Sequence, residues 1–323
     1  MNNFKKIGLT ALAASLVSVS ANAGSMTISG AASMNVGGYS GAEHDGGATF
    51  SMGNQFTVSG SGELDNGMTV SISYQLDDGA SPVQGPFDDH SVTVSSDDMG
   101  SLTLSGHGGG SATSAMDATA AGNVWDTFDG ALGQVTGVGH SNSAPGNNSL
   151  MYTMPTIMDG VDVKLSYEPQ SSGNTIDSGM GYAVTYTGVE GLTLAYSESD
   201  IVGTTSDLSG DQTAWKISYA YGPVTATMTQ SEMDVETTTS DQDVSSVALS
   251  YTVSDELSVT YGTETIESTN SGHVDAEYTV AKASYVSGGM TVTAQMKEGE
   301  NIDHSTNANA DYEYWGLGLA FAF

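Results

Sequence analysis

The chain has 323 residues and carries 38 Asp and Glu against six Lys and no Arg, a formal net charge of −32, so nothing in it could neutralise phosphates and nucleic acid is excluded as a partner. It has no Cys, which removes a disulfide framework and any Cys-based metal site. So acidic a balance would suit a disordered chain, but Tyr, Val, Leu and Met recur at period two, and the acids therefore decorate a folded one.

Lys5 and Lys6, the 13-residue apolar run Ile7 to Val19 and the small-residue site Ala21-Asn22-Ala23 stand in the order of a secretory signal peptide. Residues 1–23 are expected to be cleaved on export. Residues 24–323 are expected to form one domain, because no linker or composition shift divides them. The apolar run is too short to span a bilayer as a helix, and no later stretch approaches ~20 apolar residues, so a membrane could be crossed only by strands.

From residue 26 the chain falls into short alternating segments parted by turns. Met26, Ile28, Ala32, Met34 and Val36 alternate with Thr27, Ser29, Ser33 and Asn35, and after a Gly-rich loop Phe50, Met52, Phe56 and Val58 do the same. Glu63 to Gly67 contains Asn66-Gly67, a strong hairpin signal. Met68 to Leu76 reads as the third strand, and Asp77 to His90 as a longer loop with two prolines. Strands at Ser91 to Ser96 and Ser101 to Gly106 flank the turn Asp97-Asp98-Met99-Gly100. Between Gly106 and Ser149 lie about forty residues rich in Gly, Ala, Ser and Thr, with Ser114 to Ala121 weakly helical and Trp125-Asp-Thr-Phe128 as the bulky cluster. A connection of that length is expected to be functional or disordered.

A five-residue unit, apolar-any-apolar-small-Tyr, recurs along the chain. It ends at Tyr74, Tyr167, Tyr186, Tyr196, Tyr219, Tyr251, Tyr261 and Tyr285. Tyr74, Tyr167, Tyr196 and Tyr261 precede long loops and the other four precede short turns, so the tyrosines are expected to form two rings at opposite ends of a barrel, as aromatic girdles do at the two membrane interfaces. The whole pattern predicts an all-β, sixteen-stranded antiparallel transmembrane barrel, with seven short turns and both termini at one end and eight long connections at the other. Most carboxylates are expected in the long loops, with only Asp162 and Glu313 inside strands.

The last twelve residues, Tyr312 to Phe323, place Trp315, Leu317, Leu319, Phe321 and Phe323 on one face and only Gly and Ala between them. This pattern resembles the C-terminal assembly signal of bacterial outer-membrane barrels. The segment Asn148-Ser-Leu-Met-Tyr152-Thr-Met-Pro155, after the long third loop, resembles the strand that follows the third loop of the general, alphaproteobacterial-type outer-membrane porins of Gram-negative bacteria. The resemblance implies a trimeric channel in the outer membrane, delivered by the barrel assembly machinery and set among lipid and lipopolysaccharide, with the third loop folded inward to form an eyelet. Asp117, Asp126 and Asp129 would supply its acidic side. Porins of this family commonly face such acids with arginines, whereas this chain offers only Lys164, Lys216, Lys282 and Lys297, whose alternation with apolar neighbours in three of the repeats points them into the lumen.

Catalytic signals are weak. His44, His90, His107, His140, His273 and His304 read as solvated loop residues without metal-ligand spacing, and no Gly-x-Ser-x-Gly elbow or Walker loop occurs. Three function classes fit to different degrees. A cation-preferring channel for passive diffusion of small hydrophilic solutes and ions explains strands, polar lumen, loop and acidic rim together. An outer-membrane barrel hydrolase explains only the strands, and an acidic Ca²⁺-binding surface protein lacks the Gly-Gly-x-Gly-x-Asp repeat of such solenoids. No cofactor is expected beyond Ca²⁺ or Mg²⁺ at the acidic loops, since hard cations take oxygen ligands.

Overall fold

The computed structural model describes residues 25–41, 44–45, 47–77, 87–116, 118–128, 148–169, 176–203, 209–236, 241–268, 272, 274–305 and 311–323. The expected signal peptide lies outside them. Sixteen strands of five residues or more run antiparallel in chain order: β1 (Met26–Gly41), β2 (Thr49–Glu63), β3 (Thr69–Asp77), β4 (Asp89–Ser96), β5 (Gly100–His107), β6 (Ser149–Thr153), β7 (Val161–Glu168) and β8 (Ile176–Tyr186) make the first half. The second half is β9 (Leu192–Gly203), β10 (Gly210–Tyr221), β11 (Val224–Val235), β12 (Gln242–Thr252), β13 (Leu257–Ser268), β14 (Ala276–Ser287), β15 (Met290–Glu300) and β16 (Tyr312–Ala322). A two-residue ladder at His44–Asp45 extends the β1–β2 hairpin.

The sheet closes on itself. β1 pairs with β2 from Met26↔Gly60 to Gly37↔Thr49 on one side and with β16 from Ala31↔Ala322 to Gly41↔Tyr312 on the other, so its edge is nowhere free along the closure. Phe323 ends the ladder: its N–H reaches the carbonyl of Gly30 at 3.0 Å and its carbonyl accepts the Gly30 N–H at 2.7 Å. The predicted tight turn is present, with Gly67 at φ 80, a conformation that glycine adopts without cost.

Residues directly opposite one another across an antiparallel ladder share a face, which separates the two surfaces of the barrel. One face is lined by hydroxyl pairs: Thr93 with Thr103 at 2.8 Å, Ser218 with Thr227 at 2.9 Å, and Ser250 with Thr260 at 2.8 Å. The other exposes Leu102, Leu104, Ile217, Leu249, Leu317 and Trp315. A closed sheet that is polar inside and apolar outside satisfies its backbone in lipid and holds water in its bore. Among the described residues no helix is long and apolar enough to cross a membrane, and the strands do the crossing.

The repeat tyrosines Tyr167, Tyr196, Tyr219, Tyr251, Tyr261 and Tyr285 stand exposed on the outer face, at two levels. The strands, however, do not stop at the upper level. β9 runs on past Tyr196 to Gly203 and β13 past Tyr261 to Ser268, and many acids expected in loops lie in these extensions, among them Glu198, Asp200, Asp211, Glu232, Asp234, Asp243, Glu264 and Glu267. Hydrogen bonding carries the sheet above the apolar belt, where neither face need be apolar any longer.

Candidate functional site

Inside the barrel lie residues 111–116 and 118–128 of the connection between β5 and β6. Among its described residues it contains two short 3-10 turns, Ser114–Met116 and Val124–Thr127, rather than the helix expected over Ser114 to Ala121. Between them Thr119 and Asn123 knot the backbone. The Thr119 Oγ1 accepts the N–H groups of Gly122 and Asn123 at 3.1 and 2.8 Å, and the Asn123 Oδ1 accepts the Thr119 N–H at 2.8 Å. Asn123 takes the left-handed conformation at φ 53, which Asn tolerates better than most residues, and so turns the chain into the second 3-10 turn.

The loop is fastened to successive strands of the inner wall. Ala120 N–H donates to Thr229 Oγ1 on β11 at 2.9 Å, and Ala121 N–H to Ser246 Oγ on β12 at 2.9 Å. Glu264 on β13 then takes the Thr119 hydroxyl at 2.6 Å and the Trp125 N–H at 2.7 Å, and also accepts from the Val124 N–H. Further round, Lys297 of β15 donates to Thr127 Oγ1, and Tyr39 of β1 donates to the Thr127 carbonyl at 2.7 Å. Close approach needs small residues: a Cβ at Gly262 would stand 2.9 Å from that of Ala121.

Apolar contact completes the attachment. Val124 and Phe128, both fully buried, sink into Val244, Ile266, Ala276, Tyr278 and Val280 of β12, β13 and β14. Phe128 stacks on Tyr278 at 5.9 Å and meets the edge of Tyr39 at 6.4 Å. Burying a Val and a Phe stabilises the docked loop by about 1.5–3 kcal/mol each. With Thr113 beside Gly181 of β8 and the first 3-10 turn against β9 and β10, the described part of the loop bears on the wall from β8 round to β1 and narrows the bore on that side. A polar groove of about 340 Å³ beside Asn35, Ser51, Thr293, Gln295 and Tyr314 remains on the wall below.

The predicted charges fall as follows. Asp126 is exposed on the second 3-10 turn, whereas Asp117 and Asp129 lie outside the described residues. All four lysines are on the inner face, because Lys216 stands opposite Thr229, Lys282 opposite Gln295, and Lys164 opposite Ala183. They are not equivalent. Lys164 pairs with Asp162 at 3.7 Å, and Lys297 is half-buried against the loop, with Glu264, Asp126 and Lys282 as its charged neighbours. Trp315, Leu317, Leu319, Phe321 and Phe323 share the outer face of β16. Glu264 is the residue that sequence reasoning missed. Its signal was there in the period: Gly262, Glu264 and Ile266 continue the inward positions Ser258 and Thr260.

The histidines also differ from expectation. His90 lies in β4, His107 in β5 and His304 in a 3-10 turn, while His140 and His273 lie outside the described residues.

The fold is shared with solved barrels. An anion-selective porin from Comamonas acidovorans superposes with a TM-score of 0.68 at 13% identity, covering 93% of this chain and 100% of that one. OmpT of Vibrio cholerae, an outer membrane protein solved in a form lacking loop L8, gives 0.67 at 17% identity over 93% and 99%. A triple mutant of the porin of Rhodopseudomonas blastica gives 0.63 at 16% over 93% and 100%. No curated protein matches the sequence. The family model described as Gram-negative porin does match, over residues 8–276. That match takes in the third loop together with the strands that hold it as far as the start of β14, and on this ground the chain belongs to the Gram-negative porins, multi-pass β-barrel channels of the outer membrane.

Proposed function

We propose that this porin is a passive channel for small hydrophilic solutes and ions that prefers cations, with Asp117, Asp126 and Asp129 setting the sign at the eyelet. The observation that carries this reading is the inequality of the charges around the loop. Asp126 is exposed, while the lysine nearest to it, Lys297, is half-buried and engaged by Thr127. Lys164 is likewise countered by Asp162, so the wall opposes the loop acids mainly through Lys216 and Lys282. In a narrow bore of low dielectric, charges at the constriction outweigh those of the distant rim. The Comamonas porin is described as anion-selective, so the fold by itself does not set a preference for cations and the side chains of this chain must supply it.

The test is the reversal potential across a salt gradient, for the wild type and for a variant with all three aspartates changed to Asn. Cation preference that falls in the variant is the expected result. Anion preference in the wild type would mean that the lysines govern the eyelet, and cation preference untouched by the triple change would hand control to the rim.

The same proposal includes a homotrimer, the usual state of such porins, and no covalent chemistry on what passes. It also includes divalent cations on the outer rim. Above the apolar belt the register sets acids directly opposite acids on the outer face, in the runs Asp200–Asp211–Asp234, Glu232–Asp243–Glu267, Glu277–Glu300 and Glu298–Glu313. Like charges so placed repel across the ladder and repel the phosphates of lipopolysaccharide, which Ca²⁺ or Mg²⁺ would screen.

A further inference from the structure

We infer that Asp88, Asp89 and His107 form a binding site for a first-row divalent transition-metal ion at the root of the third loop. The three side chains come from the paired ends of β4 and β5, just before the chain leaves the wall for the constriction. One oxygen from each carboxyl and one ring nitrogen of His107 lie within 4.8 Å of one another, and all three residues are partly accessible.

The bulge in the β4–β5 hairpin creates this convergence. His90 stands opposite His107 but Ser91 stands opposite Ser105, so Gly106 is the extra residue. A side chain at Gly106 would meet the His90 ring at 2.1 Å, and one at Gly108, at φ 62, would overlap Asp89 at 1.4 Å. Two glycines thus let His107 and Asp89 stand side by side.

Three features point to a metal rather than to a plain ion pair. The His107 Nδ1 is shielded from solvent and has no hydrogen-bond partner, yet it faces the Asp89 Oδ1 at 3.9 Å, too far for a hydrogen bond. Two metal–ligand bonds of about 2.0–2.1 Å span roughly 3.3 Å at a tetrahedral angle and up to about 4.2 Å when opened out, so an ion fits that gap with little movement. The second carboxyl already stands among acids, with Asp77 and Asp89 both beside Asp88. A divalent cation there would offset the negative charge these carboxylates gather. One imidazole with two carboxylates selects Zn²⁺, Cu²⁺ or Ni²⁺ over Ca²⁺ and Mg²⁺, which take oxygen alone.

Calorimetric titration of the refolded barrel with Zn²⁺, in the presence of excess Mg²⁺ near neutral pH, should show one site per chain. His107→Gln and Asp89→Asn should each weaken it by about tenfold or more, since loss of a mere supporting group around a bound metal already costs that much. Absence of a stoichiometric site, or an affinity unchanged in both variants, would overturn the inference. Because a variant could fail to refold, the wild type carries its own check: Cu²⁺ bound in place of Zn²⁺ should show coupling to one imidazole nitrogen by electron paramagnetic resonance. A spectrum with oxygen ligands alone would refute the site without any mutation.

Discussion

Glu264→Ala is the perturbation that best tests how the constriction is held. The side chain is 1% exposed and accepts from the Thr119 hydroxyl and from the N–H groups of Val124 and Trp125, so its removal strips three loop donors of their acceptor at once. A buried donor left unpaired costs about 1–3 kcal/mol, which gives roughly 3–9 kcal/mol in all. Water can enter from the half-buried Trp125 side, which favours the lower end. About 3 kcal/mol shifts the balance between docked and undocked loop roughly a hundredfold. The bonds to Thr229 and Ser246 and the buried Val124 and Phe128 remain, so the loop should loosen without leaving the lumen for good. Single-channel recording should then show frequent excursions to larger conductance. Glu264→Gln should behave between the two: its oxygen can keep the Trp125 bond, but its amide would point a donor at a Thr119 oxygen that already accepts two. Identical conductance and noise in wild type and Glu264→Ala would refute the anchoring role.

Two further outcomes follow from the barrel wall. Deleting Phe323 removes both backbone bonds to Gly30 and the ring that lies over it, and should lower the yield of heat-modifiable, folded protein in outer-membrane fractions; native gels of the wild-type fractions test the proposed trimer, and a monomer after mild extraction would refute it. If divalent cations screen the facing acids of the rim, a chelator at fixed ionic strength should lower the thermal transition, whereas superimposable melting curves would leave those acids a purely solubilising role.

Strands were legible wherever the chain meets lipid, because there one face must be apolar and the period of two is enforced. Met26 to Val36, the tyrosine repeats and Tyr312 to Phe323 read correctly for that reason, and the Asn66-Gly67 turn for its backbone chemistry. Above the upper tyrosines that constraint ends. In Thr263-Glu264-Thr265-Ile266-Glu267 the outward positions turn polar while the inward ones meet the loop, so the segment has the composition of a loop and the geometry of a strand. Glu264 was passed over for the same cause, although it continues the inward period of Ser258 and Thr260. Asp89 and His107 were hidden differently: they are 18 positions apart, and only a bulged register makes them neighbours. No spacing rule could announce such a pair.

The closure of β1 on β16 also governs how this molecule can be made. Ala31 meets Ala322 and Gly41 meets Tyr312, so the ladder that closes the barrel joins residues separated by nearly all of the described chain. Contacts of such long range are the slowest to find, and they cannot begin to form before the final strand has been synthesised. Until then β1 presents an open edge with apolar side chains beside it, the state most prone to pair with the wrong neighbour. Cotranslational folding is thus ruled out for the finished barrel, and the chain must be kept apart from its own copies between export and insertion.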